Sequence, residues 1–139
     1  MLFRSSWLWG YFTTGVFSNA DLVANYEGWR FYQSLFNDDV IAGKPAILVR
    51  ENGRWVKQRQ FTWADHINEY WDEALNPSYN VPSLDKRLRR AIRAMCPEYQ
   101  QNPEPYRMQQ DDEVLWRRYA DINIRDSRAN RFEVICEET

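Results

Sequence analysis

Ala46-Ile47-Leu48-Val49-Arg50-Glu51-Asn52-Gly53-Arg54-Trp55-Val56-Lys57-Gln58 is the stretch on which the reading of this chain turns. Two short runs of strand-forming residues flank Asn-Gly, the pair that most readily supplies the two positive φ angles of a type I′ turn. A two-residue turn fixes the register, so Val49 should face Val56 on one side and Arg50 should face Trp55 on the other. An Arg opposite a Trp also invites a cation–π contact. A lone hairpin is marginal in water, so it must pack on a helix or gain a further strand.

Helical patterns surround it. Before the hairpin, Ser18 is placed to cap a helix, with Asp21 three residues on. Leu22, Tyr26, Trp29, Tyr32 and Phe36 then recur at three- and four-residue steps, which predicts a helix over about 20–36. Gly28 inside it suggests close approach by another element. After the hairpin, Thr62 and Asp65 resemble a second capping pair, and Trp63, Ile67, Tyr70, Trp71 and Ala74 give a second stripe, closed by Asn76-Pro77. Ser83 opens a third helix with Leu84, Leu88, Ala91, Ile92 and Met95, ending before Pro97. The stretch from Glu98 to Gln110 lacks a period and reads as an extended crossing. Asp111-Asp112-Glu113 starts a fourth helix carrying Leu115, Tyr119 and Ile122. Phe132, Val134 and Cys136 alternate with Glu133, as in a short third strand near the end. The expected architecture is α+β and mostly α-helical: four helices around one β-hairpin in a single domain of 139 residues.

Composition narrows the chemistry. Eighteen basic against twenty acidic side chains leave a net charge of −2, which argues against a general nucleic-acid binder. No apolar run is long enough for a transmembrane helix. The two cysteines, Cys96 and Cys136, are too few for a disulfide-dense scaffold or a four-thiolate zinc site. They either pair or remain two buried free thiols. Spacing alone cannot bring their Cα atoms together, so free thiols are the plainer expectation. Glycine-rich phosphate loops, EF-hand loops and GxSxG elbows are all missing from the sequence, so no cofactor is expected.

Residues 1–17 form an aromatic segment. Arg4 followed by Trp7-Leu8-Trp9-Gly10-Tyr11-Phe12 has some features of a signal peptide, with Ser18-Asn19-Ala20 where cleavage would fall. Its Ser, Thr and Gly content dilutes the apolar run, and the alternative is a segment that packs on the domain or on the remainder of a longer chain.

Three constellations could carry function. Asp65, Glu69 and Asp72 are spaced i, i+4, i+7, with His66 and Glu73 beside them. Such residues could serve a divalent metal, with His66, Glu69 and Glu73 as candidate ligands. Joined by Glu27, the carboxylates Asp65, Glu69, Asp72 and Glu73 could instead do acid/base work on a glycan or similar polar substrate. A solvated helix face shows the same pattern. Any Ser-His-Asp or Cys-His arrangement would have to use His66, the single histidine. Lys86, Arg87, Arg89, Arg90 and Arg93 stand against one acid, Asp85. Of these Lys86, Arg87, Arg90 and Arg93 are candidate anion ligands, although pairing with the acidic second helix would neutralise them internally. Finally, seven Trp, eight Tyr and seven Phe could line a sugar cleft, but nearly all fall at core spacing and are read as interior filling.

Val16-Phe17-Ser18-Asn19-Ala20-Asp21-Leu22, Asn25-Tyr26-Glu27-Gly28, Phe31-Tyr32, Trp63-Ala64-Asp65-His66 and Tyr70-Trp71-Asp72-Glu73-Ala74-Leu75-Asn76 together resemble a group of bacterial proteins without an assigned function. The resemblance covers roughly residues 16–96 and carries over no functional residue. It implies a place within longer, exported chains, Met1 as an internal start, and an extracytoplasmic location. The leading expectation is a non-enzymatic binding or structural module of a larger envelope-associated protein, its partner being protein, either itself or the rest of a longer chain.

Overall fold

A computed structural model describes residues 11–137. The fold is α+β and mostly helical, with two antiparallel sheets of two strands each. The chain divides into two compact units: Ala24–Asn68, and the residues up to Val23 together with those from Glu69 on.

The hairpin lies in the contiguous unit. β2 (Leu48–Glu51) pairs with β3 (Arg54–Lys57), and Val49 faces Val56 while Arg50 faces Trp55, as the turn requires. Asn52 and Gly53 both take positive φ, 48° and 78°. Trp55 packs on Phe36 at 5.1 Å, and the cation–π contacts found are at Arg125 and Arg128, not at Arg50. The hairpin is fastened to the helix α1 (Asn19–Phe36) by Ile47 N–H donating to the Ser34 carbonyl at 2.9 Å. Asp38 accepts from Ala46 N–H at 2.7 Å, closing the loop between helix and strand. Ser18 caps α1 through its Oγ, which accepts from Asp21 N–H at 3.1 Å. Gly28 has nothing within 4 Å of the position its Cβ would take, so no element approaches it closely.

The discontinuous unit is built on longer-range contacts. Residues 11–14 are helical, and β1 (Val16–Phe17) pairs with β4 (Tyr79–Asn80). Gly15, at φ 76°, lets β1 turn against Val81, whose Cγ2 would lie 2.9 Å from an added Cβ. α2 (Pro82–Gln101) begins with Pro at its first position after Val81, so Val81 and not Ser83 is the cap. It runs through Pro97 rather than ending before it. The ring removes one donor, but Cys96 and Tyr99 on either side are buried and hold the last turn in place. Only a 3₁₀ turn at Glu104–Tyr106 interrupts the crossing that follows. α3 (Asp112–Tyr119) is capped by Asp111, which accepts from Val114 N–H at 3.1 Å.

Three further expectations are overturned. Residues 62–76 do not form a helix; 3₁₀ turns occupy Trp63–Asp65 and Glu69–Trp71. Side chains there bond to nearby backbone instead of leaving it to a helix: Asp72 accepts from Ala74 N–H, and Asn76 donates to the Tyr70 carbonyl. The C-terminal run is not a third strand but a helix, α4 (Phe132–Glu137). Phe132, Ile135 and Cys136 sit at i, i+3, i+4 and face α2, a spacing that six residues can satisfy alongside alternation. The cysteines are not free thiols. Cys96 and Cys136 form a disulfide, with Cα atoms 5.4 Å apart, within a core of Ile92, Tyr99 and Ile135.

Two polar anchors complete this unit. Asn19, fully buried, donates to the carbonyls of Pro77 and Arg125 at 2.9 and 2.8 Å and accepts from Arg125 N–H at 2.9 Å. Arg131, 5% exposed, grips Asp112 with both nitrogens at 2.7 and 3.0 Å, and the Tyr70 hydroxyl donates to the same carboxylate at 2.7 Å. The Arg131 guanidinium and the Tyr70 hydroxyl hold the Asp112 carboxyl down at about 2, against a burial effect in the other direction. Tyr70, desolvated and facing that carboxylate, is pushed up.

Candidate functional site

The candidate acids are each engaged by their own surroundings. In the Ala24–Asn68 unit, Asp65 pairs with Lys44 and with Arg59 at 3.5 Å. In the other unit, Glu69 accepts from the backbone N–H groups of Gln109 and Gln110 at 2.8–3.0 Å. Glu73 accepts from the hydroxyls of Ser18 and Ser78 at 2.8 and 3.3 Å. Asp72 holds a turn, as described above. The i, i+4, i+7 face expected of Asp65, Glu69 and Asp72 does not exist, because the helix that would create it is absent. Among the described residues no group of three or more His, Cys, Asp or Glu gathers as a metal site. Both cysteines are in the disulfide, so neither is a nucleophile.

Glu27 and His66, 39 positions apart in sequence, come together. His66 Nδ1 lies 3.1 Å from Glu27 Oε2, and both side chains are buried. Arg30, one turn along α1, donates to both Glu27 oxygens at 2.9 and 3.2 Å and to the Val40 carbonyl at 2.7 Å. Phe31 and Phe61 flank the imidazole at 5.8 and 6.1 Å between ring centres. His66 Nε2 is buried without a hydrogen-bond partner. A carboxylate-oriented imidazole is half of a proton-transfer apparatus, but a base also needs a reacting group within hydrogen-bond reach. Among the described residues no group bonds to Nε2. Glu27 was singled out in the sequence only as a candidate acid; its meeting with Arg30 and His66 was not foreseen.

Many aromatics prove to be surface, which corrects their reading as interior filling. Phe17, Tyr70, Tyr99 and Tyr119 are buried as expected. In the Ala24–Asn68 unit, however, Trp29, Tyr32, Phe36, Trp55 and Trp63 are 41–65% exposed. Tyr32, Phe36 and Trp55 form one continuous ladder, with successive ring centres 5.8 and 5.1 Å apart. Phe36 and Trp55 open onto a cleft of about 470 Å³ that Pro45 and Val49 also line. One carboxylate lies there, Asp38, already accepting from Ala46 N–H. A stripe at helical spacing does not by itself say whether it faces the core or solvent. At the amino terminus, Phe12 is 68% exposed, Tyr11 lies 6.2 Å from Tyr79 between ring centres and Phe17 is buried, while residues 1–10 of the aromatic segment lie outside the described residues.

The third constellation is on α2. Lys86, Arg87, Arg90 and Arg93 are all exposed, and none bonds to a described residue. The expected neutralisation by an acidic second helix fails with that helix. Asp85 and Arg89 are instead tied to Asn130. Leu84, Leu88, Ala91 and Met95 on the same helix line a cleft of about 490 Å³, which Glu73 and Asn130 also border.

No family model, no curated protein and no solved structure matches the chain. No helix among the described residues is long and apolar enough to cross a membrane.

Proposed function

We propose that the chain is a non-catalytic protein-binding module of a larger envelope-associated assembly. Its contact surface is the aromatic face of the Ala24–Asn68 unit. The observation that carries this reading is the exposed ladder of Tyr32, Phe36 and Trp55 beside an open cleft. Contiguous exposed aromatics are the composition of interface centres, where rigid rings bury much area at little entropic cost. The engagement of Asp65, Glu69, Asp72, Glu73 and Glu27 by neighbouring residues supports a binding role over acid/base chemistry. The Cys96–Cys136 disulfide supports a place outside the reducing cytosol, in keeping with the exported chains that the sequence resembles.

The first occupant to test is a second copy of the chain. Sedimentation of the oxidised protein over rising concentration should show self-association. The double substitution Tyr32→Ser and Trp55→Ser should abolish it without lowering thermal stability. A protein that stays monomeric to about 1 mM, the weak limit of specific contacts, would overturn self-docking on this face.

A further inference from the structure

We infer that the outer edge of β3 pairs antiparallel with the same strand of a second copy, joining the two hairpins into one sheet across a two-fold axis. The inference rests on the reading of the aromatic face as a contact surface and names how two copies meet there. The register of β2 and β3 makes Glu51–Arg54 and Val49–Val56 the bonded pairs, and Gln58 N–H donating to the Ile47 carbonyl at 2.8 Å continues the series. The backbone N–H and C=O groups of Trp55 and Lys57 therefore point away from β2, and no described residue bonds to them. All of Arg54–Lys57 is exposed, whereas Leu48 and Val49 of β2 are half-buried. The strand has neither a proline nor a bulge, two of the devices that protect an edge from pairing.

The side chains along the edge select the partner. Outward groups must meet outward groups, so Trp55 and Lys57 have to face Trp55 or Lys57 of the copy. Trp55 opposite itself runs the strand onto the Asn52-Gly53 turn, and Lys57 opposite itself sets like charges face to face. Trp55 opposite Lys57 uses the whole strand: the two exchange both backbone bonds at each end, and Val56 meets Val56 on the axis. Arg54 then stands against the neutral Gln58. The Lys57 ammonium, which within one copy donates to the Gln60 side chain at 3.1 Å, comes beside the Trp55 ring of the other. Trp55 is 59% exposed and ends the ladder of Tyr32 and Phe36, so the two ladders share one face of the joined sheet. Such a contact is isologous and closes at two copies. An unrelated extended segment would find the same backbone groups without the reciprocal Trp and Lys.

Both native cysteines are in the disulfide, so an added cysteine is the only thiol of the oxidised full chain. Val56→Cys sets two sulfurs across the axis, where Cα atoms of a non-bonded pair lie about 4.5 Å apart. Arg54→Cys, on the same face of the strand, leaves them about 13 Å apart. Under a mild copper oxidant, Val56→Cys should form a covalent dimer at least about tenfold faster than Arg54→Cys. Lys57→Pro removes an outward N–H and no bond to β2, and should weaken association at least about tenfold in sedimentation. Lys57→Arg should leave association within about twofold, and thermal melts should show both variants folded. Equal crosslinking of the two cysteine variants, or association undiminished in Lys57→Pro, overturns the edge pairing while the aromatic face stands as the contact surface. A chain that stays monomeric to about 1 mM overturns self-docking and this proposal together.

Discussion

Asp112 faces three groups at once: Arg131 across a two-pronged contact, the Tyr70 hydroxyl, and Arg128 at 3.5 Å. Its carboxyl is held at about 2 against an ordinary 3.8, so folding favours the ionised form. The stabilisation is therefore complete above about pH 4 and is lost as pH falls through 2, amounting to about 2 kcal/mol. Asp112→Asn should cost more at neutral pH, about 3 kcal/mol, because Arg131 stays buried with its charge uncompensated. Urea unfolding at pH 7 and at pH 3 should show the gap between variant and wild type narrowing in acid. A gap that stays constant would mean the pair contributes only packing. The contact could not be foreseen from sequence: Asp112 was read as a favourable charge at a helix start, and its partner lies nineteen residues further on, just before a run taken for a strand.

Among the elements, what was legible was what is decided locally. The Asn52-Gly53 turn sets its own backbone and hence the register of β2 and β3, and Ser18 and Asp111 cap the helices they precede. What was not legible was decided by partners elsewhere. Asp72 and Asn76 win backbone groups away from a helix, Pro97 is carried inside α2 by its packed neighbours, and Phe132–Glu137 is helical because α2 offers it an apolar side. The carboxylate face vanished with its helix, while the basic row on α2 survived because that helix formed. Glycines separate the two kinds of constraint. Gly28→Ala, in open space on α1, should stabilise the protein by about 1 kcal/mol. Gly15→Ala, at positive φ and against Val81, should destabilise it by about 2 kcal/mol. Paired thermal melts read both signs; two changes of the same sign would contradict the backbone geometry.

At the scale of the molecule, the disulfide and the core around it belong to one unit and the hairpin to the other. The oxidised chain should present no thiol to a chromogenic reagent before reduction. Closing a loop across 40 positions contributes about 4 kcal/mol through the unfolded chain. After reduction, hydrogen exchange should quicken across 82–137 and hold steady across 47–58, each segment reporting its own local stability. A uniform rise would show that the units open as a single cooperative block.

Asn19 bonds to backbone 106 positions away, and the unit it anchors is assembled from both sides of Ala24–Asn68. During synthesis on the ribosome, that anchor stays incomplete until Arg125 has left the exit tunnel. The 24–68 unit is contiguous in sequence, so all of its residues are available to it while translation continues. The nascent chain thus presents its aromatic ladder to the surroundings well before the cysteines can meet.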